Sequence, residues 1–211
     1  MNFEKPDRLP VVEWAGWWGD TLNRWYEEGL SRDIPWDRIQ THLGLDFMRR
    51  IWMPLTTPDC PSPASHGAPL IYTEEDYESF KPYLYPNETH KNWQNKIEIL
   101  KNLKQEHDRG DAVLWYSYDG FFWFPRVLLG IENHLYSFYD EPELYHRICS
   151  DLADYIISQL PIIYSICRPE FMVFSEDMSY NNGPMLSEEL FDEFMPVSYT
   201  HLRAHETAAN L

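Results

Sequence analysis

The apolar positions of this chain follow two alternating rhythms. Short continuous runs rich in β-branched and aromatic residues read as buried strands: LPVVEWAGWW (Leu9–Trp18), LDFMRRIWMP, DAVLWYSYDG and EFMVFSEDMSY. Between them lie segments with helical spacing. DTLNRWYEEGL places Leu22, Trp25 and Tyr26 together and stops at Gly29, and WDRIQTHLG stops at Gly44. TEEDYESFKPYL opens with Thr73 as N-cap and an acidic first turn. WQNKIEILKNLKQEHDRG puts Ile97, Leu100 and Leu103 on one face and ends at Gly110. PRVLLGIENHLYSF reads as one helix. DEPELYHRICSDLADYIISQL starts another, with Asp140 and Glu143 at capping-box spacing and Pro142 in the first turn. Ser187 caps EELFDEFM.

Strands separated by helical patterns predict parallel βα units, here four of them, and therefore an α/β fold. The proline-rich stretch Thr56–Pro69 is longer than a simple connector, which predicts a functional or mobile loop.

Composition narrows the partners. A hydrophobic fraction of 44% with 16% aromatics supports a sizeable core in 211 residues. A net charge of −17 argues against nucleic acid, which needs a basic footprint, and against polyanionic substrates. Cys60, Cys149 and Cys167 are far apart and form no CxxC or HxC motif. No zinc site, metal ligand set or disulfide framework is expected from them, and reduced thiols fit a cytoplasmic protein. MNFEKPDRLP lacks the apolar stretch of a signal peptide, and no apolar run approaches ~18 residues, so no membrane partner is expected.

Parallel βα architecture binds ligands at the carboxyl ends of its strands. The first run delivers Glu13 and Trp17 there, the second Arg49, Arg50 and Trp52, the third Tyr118 and Asp119, the fourth Glu176, Asp177, Tyr180 and Asn181. Glu13, Asp119, Glu176 and Asp177 are the candidate catalytic carboxylates. Adjacent strand residues point to opposite faces, so only one of Glu176 and Asp177 can face a barrel axis, and the other caps a loop or pairs outward; alternatively both serve only to satisfy loop amides. Glu13 serves either catalysis or a structural salt bridge. Arg49 and Arg50 form either a carboxylate clamp or a structural partner for Glu13. Trp17, Arg49, Tyr118, Tyr180 and Asn181 are the candidate substrate-binding residues. His42, His134 and His146 lie on helices and read as surface or core-edge histidines.

RVLLGIENHLYSFYDEPELYHRICSDLADYI followed by FMVFSEDMSYNNGPMLSEELFDEFMP resembles the uroporphyrinogen decarboxylase superfamily, which also contains cobalamin-dependent methyltransferases. The similarity runs from about Arg8 to Pro196. It implies a (β/α)8 TIM barrel, of which this chain would carry about four units as the N-terminal half of a longer, homodimer-capable parent. The decarboxylase's arginine-bearing first-strand motif is replaced by EWAGWW, and FMRRIWMP lacks its second-strand aspartate. Glu13 and tryptophans on an acidic protein would repel a many-carboxylate porphyrinogen. The resemblance therefore implies methyl transfer or another small-substrate reaction, with porphyrinogen decarboxylation and a non-catalytic binding role as alternatives. For the parent it implies zinc, a corrinoid and possible docking of a corrinoid protein. None of these is expected within this chain.

The final stretch, Val197–Leu211, shows no apolar period. VSYTHLRAHET resembles a translated transposase-end sequencing adapter, so 197–211 is expected to be non-native, to make few contacts with residues 1–196, and to give His201 and His205 no function.

Overall fold

The computed structural model describes Lys5 and residues 7–208, with side chains through Arg203. Helix α1 (Gly19–Glu27) and a short α2 (Ile39–His42), entered through a 3-10 turn at Trp36–Arg38, precede strand β1 (Met48–Trp52). Then come α3 (Glu74–Phe80), α4 (Lys91–Asp108) and β2 (Val113–Asp119). Helices α5 (Trp123–Leu129), α6 (Ile131–Asp140) and α7 (Pro142–Ile166) lead to β3 (Phe171–Ser175). A small hairpin, β4 (Ser179–Tyr180) with β5 (Gly183–Pro184), is followed by α8 (Glu188–Phe194) and α9 (Pro196–Ala208).

The strands β1, β2 and β3 form one parallel sheet in that order, so the protein is α/β. Residue pairing Ile51↔Tyr116↔Met172 and Tyr118↔Phe174 fixes the register. Leu114, Tyr116 and Tyr118 therefore share a face, and they join the core with Leu100 and Leu103 of α4 and Leu152 and Ile156 of α7. The opposite face presents Arg50, Trp52, Trp115, Ser117, Asp119, Val173 and Ser175, because side chains alternate along a strand. Among the described residues, no helix is long and apolar enough to cross a membrane.

Several expectations hold. Thr73 caps α3 in a full capping box with Asp76, and Ser187 accepts from the Leu190 amide at the start of α8. Ile97, Leu100 and Leu103 are buried on α4.

Others are corrected. Leu9–Trp18 is not a buried strand: Leu9, Trp14 and Trp18 are 78%, 63% and 82% exposed. Its one pairing is at Val11, whose carbonyl accepts from the Asp46 amide at 2.8 Å and whose amide donates to the Asp46 carboxylate at 2.9 Å. A side chain takes the place of the next strand's carbonyl and ends the ladder, while Arg8 holds that carboxylate from the other side. The described residues thus contain three parallel strands where four βα units were expected.

Asp140 is no N-cap. It is the last residue of α6, Glu141 precedes α7 instead, and no side chain caps that helix. The helix predicted through PRVLLGIENHLYSF breaks at Gly130, whose φ of +78° suits glycine; a Cβ there would meet Pro69 N at 2.7 Å.

The final segment is also corrected. Residues 196–208 form α9, in which Tyr199 packs on Phe121 and Phe174, with centroids 5.0 and 5.6 Å apart, and Leu202 is buried. Tyr199 and Leu202 are three apart, enough for a one-turn apolar stripe that a longer periodicity window misses.

Candidate functional site

Strand β2 ends in Asp119 and then Gly120, whose amide donates to the Ser175 carbonyl at 3.0 Å, one rung beyond the Asp119↔Ser175 pair. The next residue on β3's side is Glu176. Its carboxylate accepts from the Phe122 amide at 3.1 Å and the Trp123 amide at 2.8 Å, where α5 begins, and from the Tyr199 hydroxyl. These donors satisfy a carboxylate that burial would otherwise make costly, and burial still pushes its pKa up. Gly120 makes the approach possible: a Cβ there would stand 2.0 Å from Glu176 Oε1.

Asp119 is the contrasting group. It sits on the sheet face opposite the one packed on α4 and α7, and among the described residues no donor reaches its carboxyl. Burial, then the charge of Glu176, raises its pKa to about 6. The two carboxyls thus divide: Glu176 is fixed by amides and a phenol, and Asp119 is unengaged in a range where it can exchange a proton near neutrality. Asp177 is exposed.

A second cluster lies beside β1. A cavity of about 370 Å³ is lined by Glu13, Trp17, Asp37, Arg49, Arg50 and Trp115, with other tryptophans around them. Glu13 folds back to accept from the Ala15 amide at 3.2 Å, and Gln40 holds the Glu13 carbonyl at 2.9 Å. Arg49 pairs with Asp37 at 3.7 Å. Arg50 stands over three indoles, 4.4 Å from the centroid of Trp52, 5.6 Å from Trp115 and 5.7 Å from Trp14.

The remaining candidates scatter. Tyr118 is fully buried on the helix-facing side, with its hydroxyl unpaired and its pKa far above the ordinary value from burial. It is a core residue by position. Tyr180 and Asn181 sit on the β4–β5 hairpin; Tyr180 lines a separate cavity with Arg126 and His134. The structure therefore brings Asp119 and Glu176 together, and Glu13, Trp17 and Arg49 together, but joins the two sets by no contact.

Sequence reasoning missed the role of Gly120 and the burial of His134. His134 is fully enclosed, its Nε2 lies 3.2 Å from the Tyr145 hydroxyl, and burial lowers its pKa to about 3. A neighbour such as Phe122, 4.5 Å away between ring centroids, comes from the preceding helix start, which local spacing does not show.

Cys167, His107 and Glu170 also cluster, with Sγ–Nδ1 at 3.2 Å and Nε2–Oε1 at 2.8 Å. The thiol is buried and its pKa raised by that burial, and Glu170 also accepts from the Leu114 amide at 2.8 Å, so this group ties α4 to the amino end of the sheet. Among the described residues no three His, Cys, Asp or Glu are placed to hold a metal ion. The cysteines do not fit a zinc-thiolate site: Cys149 and Cys167 are buried apart, and Cys60 lies in the proline-rich loop. Comparison with family models, curated proteins and solved structures finds no match to this chain.

Proposed function

We propose that these βα units belong to a uroporphyrinogen-decarboxylase-like (β/α)8 barrel enzyme that acts on a small substrate, by methyl transfer or a related reaction, with Asp119 as the proton-transfer group. The observation that carries the reading is the division of labour at the carboxyl ends of β2 and β3. Two acidic residues meet there, one locked by backbone amides and one raised to about 6 without a partner. Groups whose environments push their protonation apart are the usual sign of acid–base assignment. Asp119 acts as general base, and Glu176 positions the loop at Gly120–Trp123 and sustains the shift on Asp119.

A porphyrinogen substrate is disfavoured by charge. The cavity beside β1 carries Glu13 and Asp37, and the chain's net charge is −17. Zinc and a corrinoid, which the resemblance implies for a longer parent, have no fitting donor set among the described residues, so no step is assigned to them.

The non-native reading of 197–211 belongs to the same proposal, and Tyr199 then fills a place beside Glu176 that the natural continuation would fill otherwise. Amplifying the locus from source DNA is expected to give a sequence other than VSYTHLRAHET after Pro196; recovering VSYTHLRAHET would overturn that part. The enzyme encoded by that locus, assayed with methylcobalamin plus a thiol and separately with uroporphyrinogen, is expected to turn over the first pair. Consumption of uroporphyrinogen would favour the decarboxylase, and activity with neither, together with ligand binding, would favour the binding protein.

A further inference from the structure

Arg50 is the least satisfied cation in the sheet. It projects from the middle of β1 onto the face that also bears Asp119, and burial lowers its pKa. Among the described residues no acceptor bonds to it and no carboxylate pairs with it. Its neighbour Arg49, on the opposite face of the same strand, is paired with Asp37. The guanidinium instead lies over Trp52 at 4.4 Å, with Trp115 and Trp14 near 6 Å. A guanidinium whose contacts are cation–π contacts keeps its N–H donors available to an anion. Arg50 and the three indoles all line the one cavity.

The cavity's shape fits an apolar body. Its volume of about 370 Å³ lies within the range of small-molecule sites, and Trp17, Trp36 and Ile99 join the three indoles in its wall. Its charge fits a single anion. Lys96 and Arg50 are cations without a carboxylate partner among the described residues, whereas Glu13 and the Arg49–Asp37 pair limit how much negative charge the site accepts. A carboxylate takes two parallel N–H bonds from a guanidinium edge, which an ammonium cannot supply.

We propose that this cavity binds a planar, apolar monocarboxylate, with Arg50 holding the carboxylate edge-on and the tryptophans enclosing the ring system. This rests on the reading of the Asp119 face as the substrate face. Trp115, in the cavity wall, and Asp119 share one face of β2, four residues and ~13 Å apart along the strand.

The test is isothermal titration calorimetry of the 211-residue chain with 2-naphthoate and its neutral isostere 2-naphthamide. Naphthoate is expected to bind at least about tenfold more tightly than the amide. Arg50→Lys, which keeps the charge but loses the paired donors, should cut that preference to about threefold or less, while Arg24→Lys on exposed α1 should not. Glu13→Gln gives an independent check that does not touch Arg50: removing a carboxylate from the cavity wall should tighten naphthoate several-fold. Equal affinity for acid and amide, no binding of either, or an unchanged preference in a folded Arg50→Lys protein would overturn the proposal. Naphthoate preference without methyl transfer by the locus-encoded enzyme leaves the cavity standing and removes the transferase reading. Methyl transfer without the preference does the reverse.

Discussion

Replacing Asp119 by Asn separates the electrostatic character of this group from its shape. The carboxyl's pKa rises from 3.8 to about 6 on folding, so the native chain binds its proton more tightly than the unfolded chain does. The sign follows: ionising Asp119 costs nothing below pH ~4, costs progressively more as pH rises toward ~6, and reaches its full penalty above that. A shift of about two units corresponds to up to ~3 kcal/mol, which partial solvent access reduces to ~2 kcal/mol. Asn keeps the size and removes the ionisation, so Asp119→Asn should be more stable than wild type by ~2 kcal/mol at pH 7.5. For a chain of this length that is ~4–8 °C in Tm. At pH 4 the two proteins should melt together. Scanning calorimetry at both pH values, with wild type and variant side by side, cancels the titration of every carboxylate they share. The same Tm difference at both pH values, or a variant less stable at pH 7.5, would refute the reasoning.

Gly120→Ala would drive a methyl group to 2.0 Å from Glu176 Oε1, and should cost ~1–3 kcal/mol in urea unfolding, with the Glu176 contacts to Phe122 and Trp123 displaced. Tyr199→Phe removes the phenol donor from Glu176, whose folded pKa is already raised and should rise further; a deficit of ~1–2 kcal/mol at pH 7 that shrinks at pH 4 is expected in pH-dependent urea melts. Thr73→Ala removes half of the capping box at α3 and should cost ~1 kcal/mol by the same measurement, with no dependence on pH between 6 and 8.

The sheet was legible in the sequence where strand and helix signals agreed with their neighbours. FMRRIW, VLWYSYD and FMVFS are apolar runs that also find parallel partners, and Thr73 and Ser187 cap because their hydroxyls need only amides three residues away. LPVVEWAGWW has the same local signal but meets an aspartate side chain instead of a strand, a long-range event that no window of residues contains. Gly130 reads as an interior helix glycine until Pro69 and Gly67 are seen against it. At the site, Asp119 and Glu176 could be picked out as carboxylates ending apolar strands. Their different roles could not, because these depend on which one the amides of Phe122 and Trp123 reach. Arg49 and Arg50 look equivalent in sequence; the strand's alternation gives Arg49 a carboxylate, Asp37, beside Trp36, and leaves Arg50 among tryptophans alone.

Asp119, as a proton-transfer group poised near neutrality, should leave its signature in the rate. The pH dependence of kcat/KM, measured on the enzyme encoded by the source locus and on its Asp119→Asn variant, tests it most directly. The wild-type rate is expected to rise as pH increases through about 6, as a general base with that pKa requires, and the variant to lose ~10²-fold or more and show no such limb. A variant with unchanged kcat/KM, or a wild-type profile flat between pH 5 and 7, would contradict it.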